Sequence, residues 1–340
     1  MARRRSIVRV CKYTASSLVG LVLLFAIATA VGNIVIGWEN PPAGRFIETT
    51  AGRQHVLDVG PDSPVTTPAP AVVLIHGATA NLGDMRLALV DRLRSRYRVI
   101  AVDRPGHGWS ERAGGAADAS PQQQAAVLRE VLRKAKVERP IVVGHSWGGS
   151  VALAYALDYP EEIGGLLLLA PLAAPWKSDL RRYAEWGDTR GLGPFLAHTF
   201  AMPGAWLSVD RILWRAFAPQ TAPANYVERA SIMLALRPAT AMANSQDLAR
   251  LDSFTAAMIP RYSQIATPTI VLTGTRDHLV SPRLQARVVA GLVPHAQLVV
   301  LPGVGHMVHH AEPDRVLAAI DELASGAERQ RNAAEAIPPR

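Results

Sequence analysis

Three residue types, met in one order along this 340-residue chain, are able to do chemistry together. Gly144-His145-Ser146-Trp147-Gly148 follows an apolar run and opens a stretch of helical length, the setting of a nucleophile elbow. Glycine at Gly144 and Gly148 makes room for a sharp turn, because side chains two positions from the serine would collide with the adjoining strand and helix. Such a turn would lift Ser146 Oγ above a sheet. A serine hydroxyl is a weak nucleophile at neutral pH and needs a general base, itself oriented by a carboxylate. The run 269–277 ends on Asp277 and the run 298–306 ends on His306, each in the loop after a strand-like segment. Ser, then Asp, then His is the chain order of such a triad on a parallel sheet. A tetrahedral intermediate also needs two N–H donors for its oxyanion. Trp147 supplies one directly after the serine, and Ala78, in the loop His76-Gly77-Ala78-Thr79, supplies the other.

Each residue has a plainer reading. A G-x-S-x-G string occurs as an ordinary strand-to-helix turn, and Asp277 would serve equally as a cap for a helix near Pro282. Asp179 and Asp252 are the alternative acids. His309 and His310 compete with His306 but fall beyond the glycine turn, where the next segment starts. His76 and His145 are expected to pack and hydrogen-bond around their loops rather than to transfer protons. The loop Asp103-Arg-Pro-Gly-His-Gly-Trp-Ser110 follows a strand and is assigned a tight turn near the site, with no chemistry for its side chains.

The elements that must hold these residues are short β-rich runs at 56–59, 72–76, 99–102, 141–144, 166–170, 269–273 and 298–301. Helical segments alternate with them at 82–94, 121–136, 147–159, 282–292 and 313–323. Strands apolar on both faces, such as Leu166-Leu-Leu-Leu169, suit a mostly parallel central sheet flanked by helices, an α/β fold. The interval 171–263 has helix-length stretches, frequent prolines and no convincing strand, so it is expected as an inserted helical unit. It holds 11 of the 20 aromatics, with Trp176, Trp186, Trp206, Trp214, Met202, Met233, Met242 and Met258 among its apolar residues. Aromatics and methionines line adaptable apolar pockets, although most of these would also serve as the insert's own core. Charges interleaved at helical spacing, as in Asp210-Arg-Ile-Leu-Trp-Arg215, predict a closed pocket under a polar outer face.

Residues 13–38 contain no charge, and a bilayer core of ~30 Å needs about 20 apolar helical residues. Five basic residues (Arg3, Arg4, Arg5, Arg9, Lys12) precede this run, which places the N-terminus in the cytoplasm and the bulk of the chain outside. The segment reads as a transmembrane anchor with Trp38 in the interfacial belt. Its rival is a signal sequence cleaved near Ala30, since Ala28-Thr29-Ala30 has the small-x-small form. Arg4-Arg5 loosely resembles a twin-arginine signal. The formal net charge of +8 drops to +3 once the first twelve residues are set aside, an ordinary surface that gives no reason to expect nucleic acid. The single cysteine, Cys11, excludes an intramolecular disulfide framework and a Cys-based zinc cluster, and it lies on the wrong side of the apolar run for a lipoprotein. Only four of 36 basic residues are lysine, which together with abundant alanine suggests a GC-rich bacterial genome. The expected organisation is a basic cytoplasmic segment 1–12, an anchor or signal 13–38, a linker 39–52, a core in two parts at 53–170 and 264–324, a helical lid at 171–263, and a disordered tail at 325–340.

His76-Gly77, the 103–110 loop, Gly144-His-Ser-Trp-Gly-Gly149, Tyr159-Pro-Glu161, Asp277 and Gly305-His306 together resemble the α/β-hydrolase superfamily over roughly residues 53–323. The branch resembled contains epoxide hydrolases, haloalkane dehalogenases, cofactor-free haloperoxidase-like esterases and carbon-carbon bond hydrolases. The resemblance implies that the insert after the sixth core strand forms a lid over the serine. Ser146 stands where epoxide hydrolases and dehalogenases carry aspartate, so an alkyl-enzyme ester is unavailable and both activities are disfavoured. Gly-x-Ser-Trp-Gly also resembles proline iminopeptidases, but the insert has no acidic cluster to hold a substrate ammonium. The expectation is a serine hydrolase of a small apolar ester or related acyl compound, with no metal or organic cofactor. Carbon-carbon hydrolysis or perhydrolysis by the same triad, and a hydrolase-fold ligand-binding protein with little turnover, are the alternatives.

Overall fold

The computed structural model describes residues 2–61, 69–176 and 178–335. Among the described residues eight strands form one sheet: β1 (Arg45–Thr49), β2 (Gly52–Val59), β3 (Val72–Ile75), β4 (Val99–Val102), β5 (Ile141–His145), β6 (Gly165–Leu169), β7 (Thr269–Gly274) and β8 (Gln297–Leu301). Their spatial order is β1-β2-β4-β3-β5-β6-β7-β8. β1 and β2 are antiparallel to their neighbours and the strands from β4 to β8 run parallel. Alternating side chains feed two cores. Val73, Ile75, Ile100, Val142, Leu166 and Leu168 pack with the helices Pro121–Lys134 and Trp147–Asp158. Val72, Leu74, Val99, Val143, Leu167 and Leu169 pack on the other face with the helical segment 82–93 and the helix Pro313–Glu335. Burial on both faces explains why the central strands read as unbroken apolar runs.

Local chemistry fixes the helix starts. The Ser120 hydroxyl accepts from the Gln123 N–H with Pro121 at the first helical position, and the Asn81 side chain accepts from the Gly83 N–H at 2.7 Å. Two expectations need correction. The linker 39–52 contains β1, an edge strand whose only buried residue is Ile47, too polar to stand out by alternation. The expected disordered tail is helical as far as Glu335, because its alanines, arginines and glutamates are strong helix formers, polar though they are; residues 336–340 lie outside the described residues.

Between β6 and β7 the described residues form helices and no strand, the longest helix being Pro238–Met258. The helix Ala2–Glu39 precedes the sheet, and its 9–39 portion is long and apolar enough to cross a membrane. Its C-terminal half is docked on the insert. Thr29 Oγ1 donates to the Thr199 carbonyl at 3.0 Å, the Phe25 and Phe200 rings meet edge-on at 5.3 Å, and Ile36 is buried with Met202 and Leu234. Trp109 Nε1 donates to the Asn40 carbonyl at 2.9 Å and ties the end of this helix to the 103–110 loop.

Candidate active site

Ser146 follows the last residue of β5 with φ 51° and ψ −116°, a strained conformation for a residue with a side chain. The strain is held by tight backbone packing. A Cβ on Gly144 would lie 2.4 Å from the Gly148 carbonyl oxygen, and one on Gly148 would lie 2.5 Å from that of Ile75, so only glycine fits at either position. The Leu172 and Gly149 N–H groups donate to the Ser146 carbonyl at 2.9 Å, which fixes the turn from both sides.

Asp277 lies beyond the end of β7 and His306 beyond the end of β8. His306 Nδ1–H donates to Asp277 Oδ2 at 2.8 Å, and Asp277 Oδ1 accepts the Leu279 and Val280 N–H groups at 2.9 and 2.8 Å. Those bonds immobilise a buried carboxylate and leave His306 Nε2 as the free ring nitrogen. Ala78, Ser146 and His306 line one cavity of about 190 Å³. Trp147 opens its helix, so its N–H belongs to the first turn, where donors have no intrahelical partner. Ser146, Asp277, His306, Ala78 and Trp147 are thus gathered at the C-terminal ends of neighbouring parallel strands, where sites of open α/β sheets form. Asp252 is drawn elsewhere, accepting from the Trp176 N–H and from Arg181. Asp179 begins a helix of the insert.

Burial favours the neutral form of two histidines beside the site. His76 accepts the Arg104 N–H on Nε2 at 3.0 Å and donates from Nδ1 to the Gly77 carbonyl at 2.8 Å; burial lowers it from 6.5 to about 3. His145 donates from Nε2 to the His306 carbonyl at 3.2 Å, and burial, reinforced by His309 and His306, lowers it well below its usual value.

Two networks escape a reading of motifs. Arg104 donates to the Gly77 carbonyl at 3.1 Å and the His76 carbonyl at 3.2 Å, covers the Trp147 ring at 4.5 Å, and meets Asp247 of the insert at 2.6 Å. It holds the donor loop, the elbow and the insert together. Asp84 accepts His309 Nε2, His310 Nε2 and the Tyr226 hydroxyl at 2.9, 2.8 and 2.7 Å. Burial alone would raise the Asp84 carboxyl, but the two imidazoles outweigh it and hold it well below the usual carboxylate range. His309 and His310 therefore serve this network and not Ser146. Asp84, His145 and His309 offer ligand atoms within 4.8 Å of one another, a spacing open to a metal ion; the hydrogen bonds just described already engage the carboxylate. Asp84 and Asp247 were legible only as isolated carboxylates, because these partners lie more than 120 residues away.

The cavity is apolar above the serine. Val209, Ile212, Leu213 and Ala216, spaced along one face of the helix Val209–Phe217, line it with Trp176, Met233, Leu236 and Met307. Trp176 and Met233 stand where an apolar pocket was expected to put them. Met202 instead packs on the N-terminal helix, Met258 is buried in the core, and Trp186 and Met242 border a separate recess. The expected polar outer face is also corrected. Trp206, Leu207 and Trp214 are 58, 89 and 70% exposed. In so short a helix the inward stripe is filled by Val209, Ile212, Leu213 and Ala216, which turns Trp214 outward with Asp210 and Arg211.

Comparison with known proteins agrees with this architecture. Haloalkane dehalogenase 2 of Mycobacterium tuberculosis is 25% identical over 298 residues, covering 83% of this chain and 95% of its own. The crystal structure of a membrane phospholipase A described as a bacterial virulence factor superposes with a TM-score of 0.66 at 22% identity, covering 96% of this chain and 99% of that one. A meta-cleavage product hydrolase from Pseudomonas fluorescens gives 0.66 at 20% identity, with 84 and 98% coverage. At such identities the two structures speak for the fold alone. The sequence profile of the alpha/beta hydrolase fold matches residues 70–313, and the chain belongs to that family.

Proposed function

We propose that this chain is a serine hydrolase, anchored in a membrane by its N-terminal helix, that cleaves an ester or related acyl bond of a small apolar substrate. The observation that carries the reading is the Asp277–His306 hydrogen bond beside a strained Ser146, in a cavity lined mostly by apolar side chains. Ser146 Oγ attacks the acyl carbon while His306 Nε2 takes its proton, and Asp277 stabilises the imidazolium at Nδ1. The Trp147 and Ala78 N–H groups receive the oxyanion. His306 then protonates the departing alkoxide, and a water deprotonated by the same nitrogen releases the acid from the acyl enzyme. Dehalogenation, the named activity of one relative, is disfavoured here because Ser146 cannot form the alkyl ester that a carboxylate nucleophile would.

The anchor rests on the uncharged run 13–38 following five basic residues, which favours a catalytic domain outside the cytoplasm. Labelling with a fluorophosphonate probe tests the chemistry. The label is expected on Ser146 and lost in Ser146→Ala; an unlabelled wild type, or label on another serine, counts against the reading. An acyl-chain series should then gain about fourfold in kcat/KM per methylene until the cavity is full, from ~0.8 kcal/mol per buried CH2. Membrane fractionation with external protease tests the topology, and full-length chain in the soluble cytosolic fraction would defeat it.

A further inference from the structure

We propose that the outer face of the insert, built on Trp206, Leu207 and Trp214, lies within the bilayer beside the N-terminal helix, and that the acyl substrate enters the cavity from lipid. The inference rests on the membrane anchor proposed above and extends it to the route and class of the substrate, an ester partitioned into the outer leaflet.

Depth along the anchor makes the first argument. A hydrocarbon core of ~30 Å takes about 20 helical residues, so a span beginning after Lys12 leaves the core near Gly32. At ~1.5 Å per residue, Thr29 then lies roughly 5 Å and Phe25 roughly 10 Å inside the outer edge of the hydrocarbon. Thr199 and Phe200 of the insert touch those two residues, so they share that depth. The Thr29 hydroxyl spends its proton on the Thr199 carbonyl, which suits a site with no water to receive it. An added Cβ on Gly32 would come within 2.5 Å of the Met202 sulfur, so the helix and the insert meet closely.

Continuity with the cavity makes the second argument. Met233 and Leu236 line the cavity and also pack against the cluster of Ile36, Met202 and Leu234, so one layer of side chains separates the cavity from the anchor. Ala205, Val209 and Ile212 line the cavity from the same two short helices that turn Trp206 and Trp214 outward. Ile212 is itself partly exposed, which brings the lining to the outer surface at this face. Exposed tryptophans suit the membrane interface, and Arg211, exposed on the same helix, can reach headgroup phosphates. A face of this kind in water would be an unusual cost for a folded protein; beside a membrane helix it has an occupant.

The full chain, reconstituted in phosphatidylcholine–phosphatidylglycerol vesicles that carry a doxyl quencher near the headgroup, tests this by two independent readouts. The quenchable part of the tryptophan emission should fall by about half in W206F/W214F, because Trp38 and Trp186 remain; unchanged quenching overturns the proposal. In W206S/W214S, turnover of water-soluble p-nitrophenyl butyrate should stay within twofold of wild type while that of vesicle-resident p-nitrophenyl decanoate falls at least tenfold. An equal fall on both esters assigns these tryptophans to the fold and overturns it. Emission that resists quenching, in a chain that dissociates from dimer to monomer on substitution, assigns the face to a second copy and overturns it as well. Should wild type hydrolyse neither ester, the serine hydrolase reading fails, and the quenching result still decides where the face lies.

Discussion

Asp247→Ala isolates what ties the insert to the elbow. Asp247 is wholly buried and accepts Arg104 Nη1 at 2.6 Å, Arg112 Nη2 at 2.6 Å and Gln124 Nε2 at 3.2 Å. Arg104 is 1% exposed, and burial already lowers its guanidinium from the ordinary value against the pull of Asp247. Deleting the carboxylate leaves that cation in the interior without its counter-ion, which costs about 3–5 kcal/mol. At ~2–4 °C per kcal/mol for a domain of this size, the melting temperature should fall by roughly 6–20 °C. Asp314→Ala is the control, since its partner Arg92 and Asp314 itself are largely exposed, and a surface pair of this kind contributes about 0–1 kcal/mol. Thermal unfolding of the full chain in mild detergent, followed by intrinsic fluorescence, reads both. Arg104→Met combined with Asp247→Leu removes the stranded charge and should recover much of the lost stability. It should not recover turnover, because the carbonyls of His76 and Gly77 lose the donor that positions the Ala78 N–H. A shift of less than ~2 °C for Asp247→Ala, or one equal to that of Asp314→Ala, would refute the assignment of Asp247 as the buried counter-ion.

Ser146→Ala and His306→Ala should each lower kcat by about 10⁴-fold with the melting temperature little changed, and Asp277→Asn should also be severe because an amide favours the wrong imidazole tautomer; ester turnover within tenfold of wild type in Ser146→Ala would contradict the role given to it. Gly148→Ala forces a Cβ to within 2.5 Å of the Ile75 carbonyl oxygen and 2.6 Å of that of His76, so circular dichroism should report a melting point well below wild type; an unchanged one would mean that the elbow relaxes freely. Stability should also fall with acid. Burial lowers His76 from 6.5 to about 3 and moves His107 and His145 in the same direction. The unfolded chain therefore binds protons below about pH 6.5 that the folded chain refuses, so stability is complete above that pH and is lost as it falls toward 3. Urea midpoints measured from pH 8 to 4.5 should hold steady and then drop, whereas a flat profile between pH 7 and 5 would show that these histidines protonate in the folded state.

What could be read from the sequence was what is encoded over short distances. The elbow was legible because Gly144, Ser146 and Gly148 lie within five residues and their constraint is steric, and the central strands because burial on both faces leaves runs such as Leu166 to Leu169 without a polar residue. β1 was missed since an edge strand buries only one of its five residues and shows no alternation. The partners of Asp84 and Asp247 were invisible for a different reason. A buried carboxylate and a surface one look alike until the fold brings cations or hydroxyls to it across more than 130 positions.

The insert shows where helical periodicity stops being informative. Asp210-Arg-Ile-Leu-Trp-Arg215 carries enough charge to look like an amphipathic helix with a polar back, yet nine residues make only two and a half turns. Two and a half turns have room for one inward stripe. Val209, Ile212, Leu213 and Ala216 occupy it over the cavity, and the largest residue of the segment, Trp214, is left outside. An apolar residue on the outer face of a lid costs little only if something apolar covers it. The N-terminal helix, packed against the same insert through Phe25, Thr29 and Ile36, brings the material that would do so. On the proposed reading, the N-terminal helix and the insert act on one substrate problem: a span that held the chain at a membrane would also set the depth at which its pocket begins.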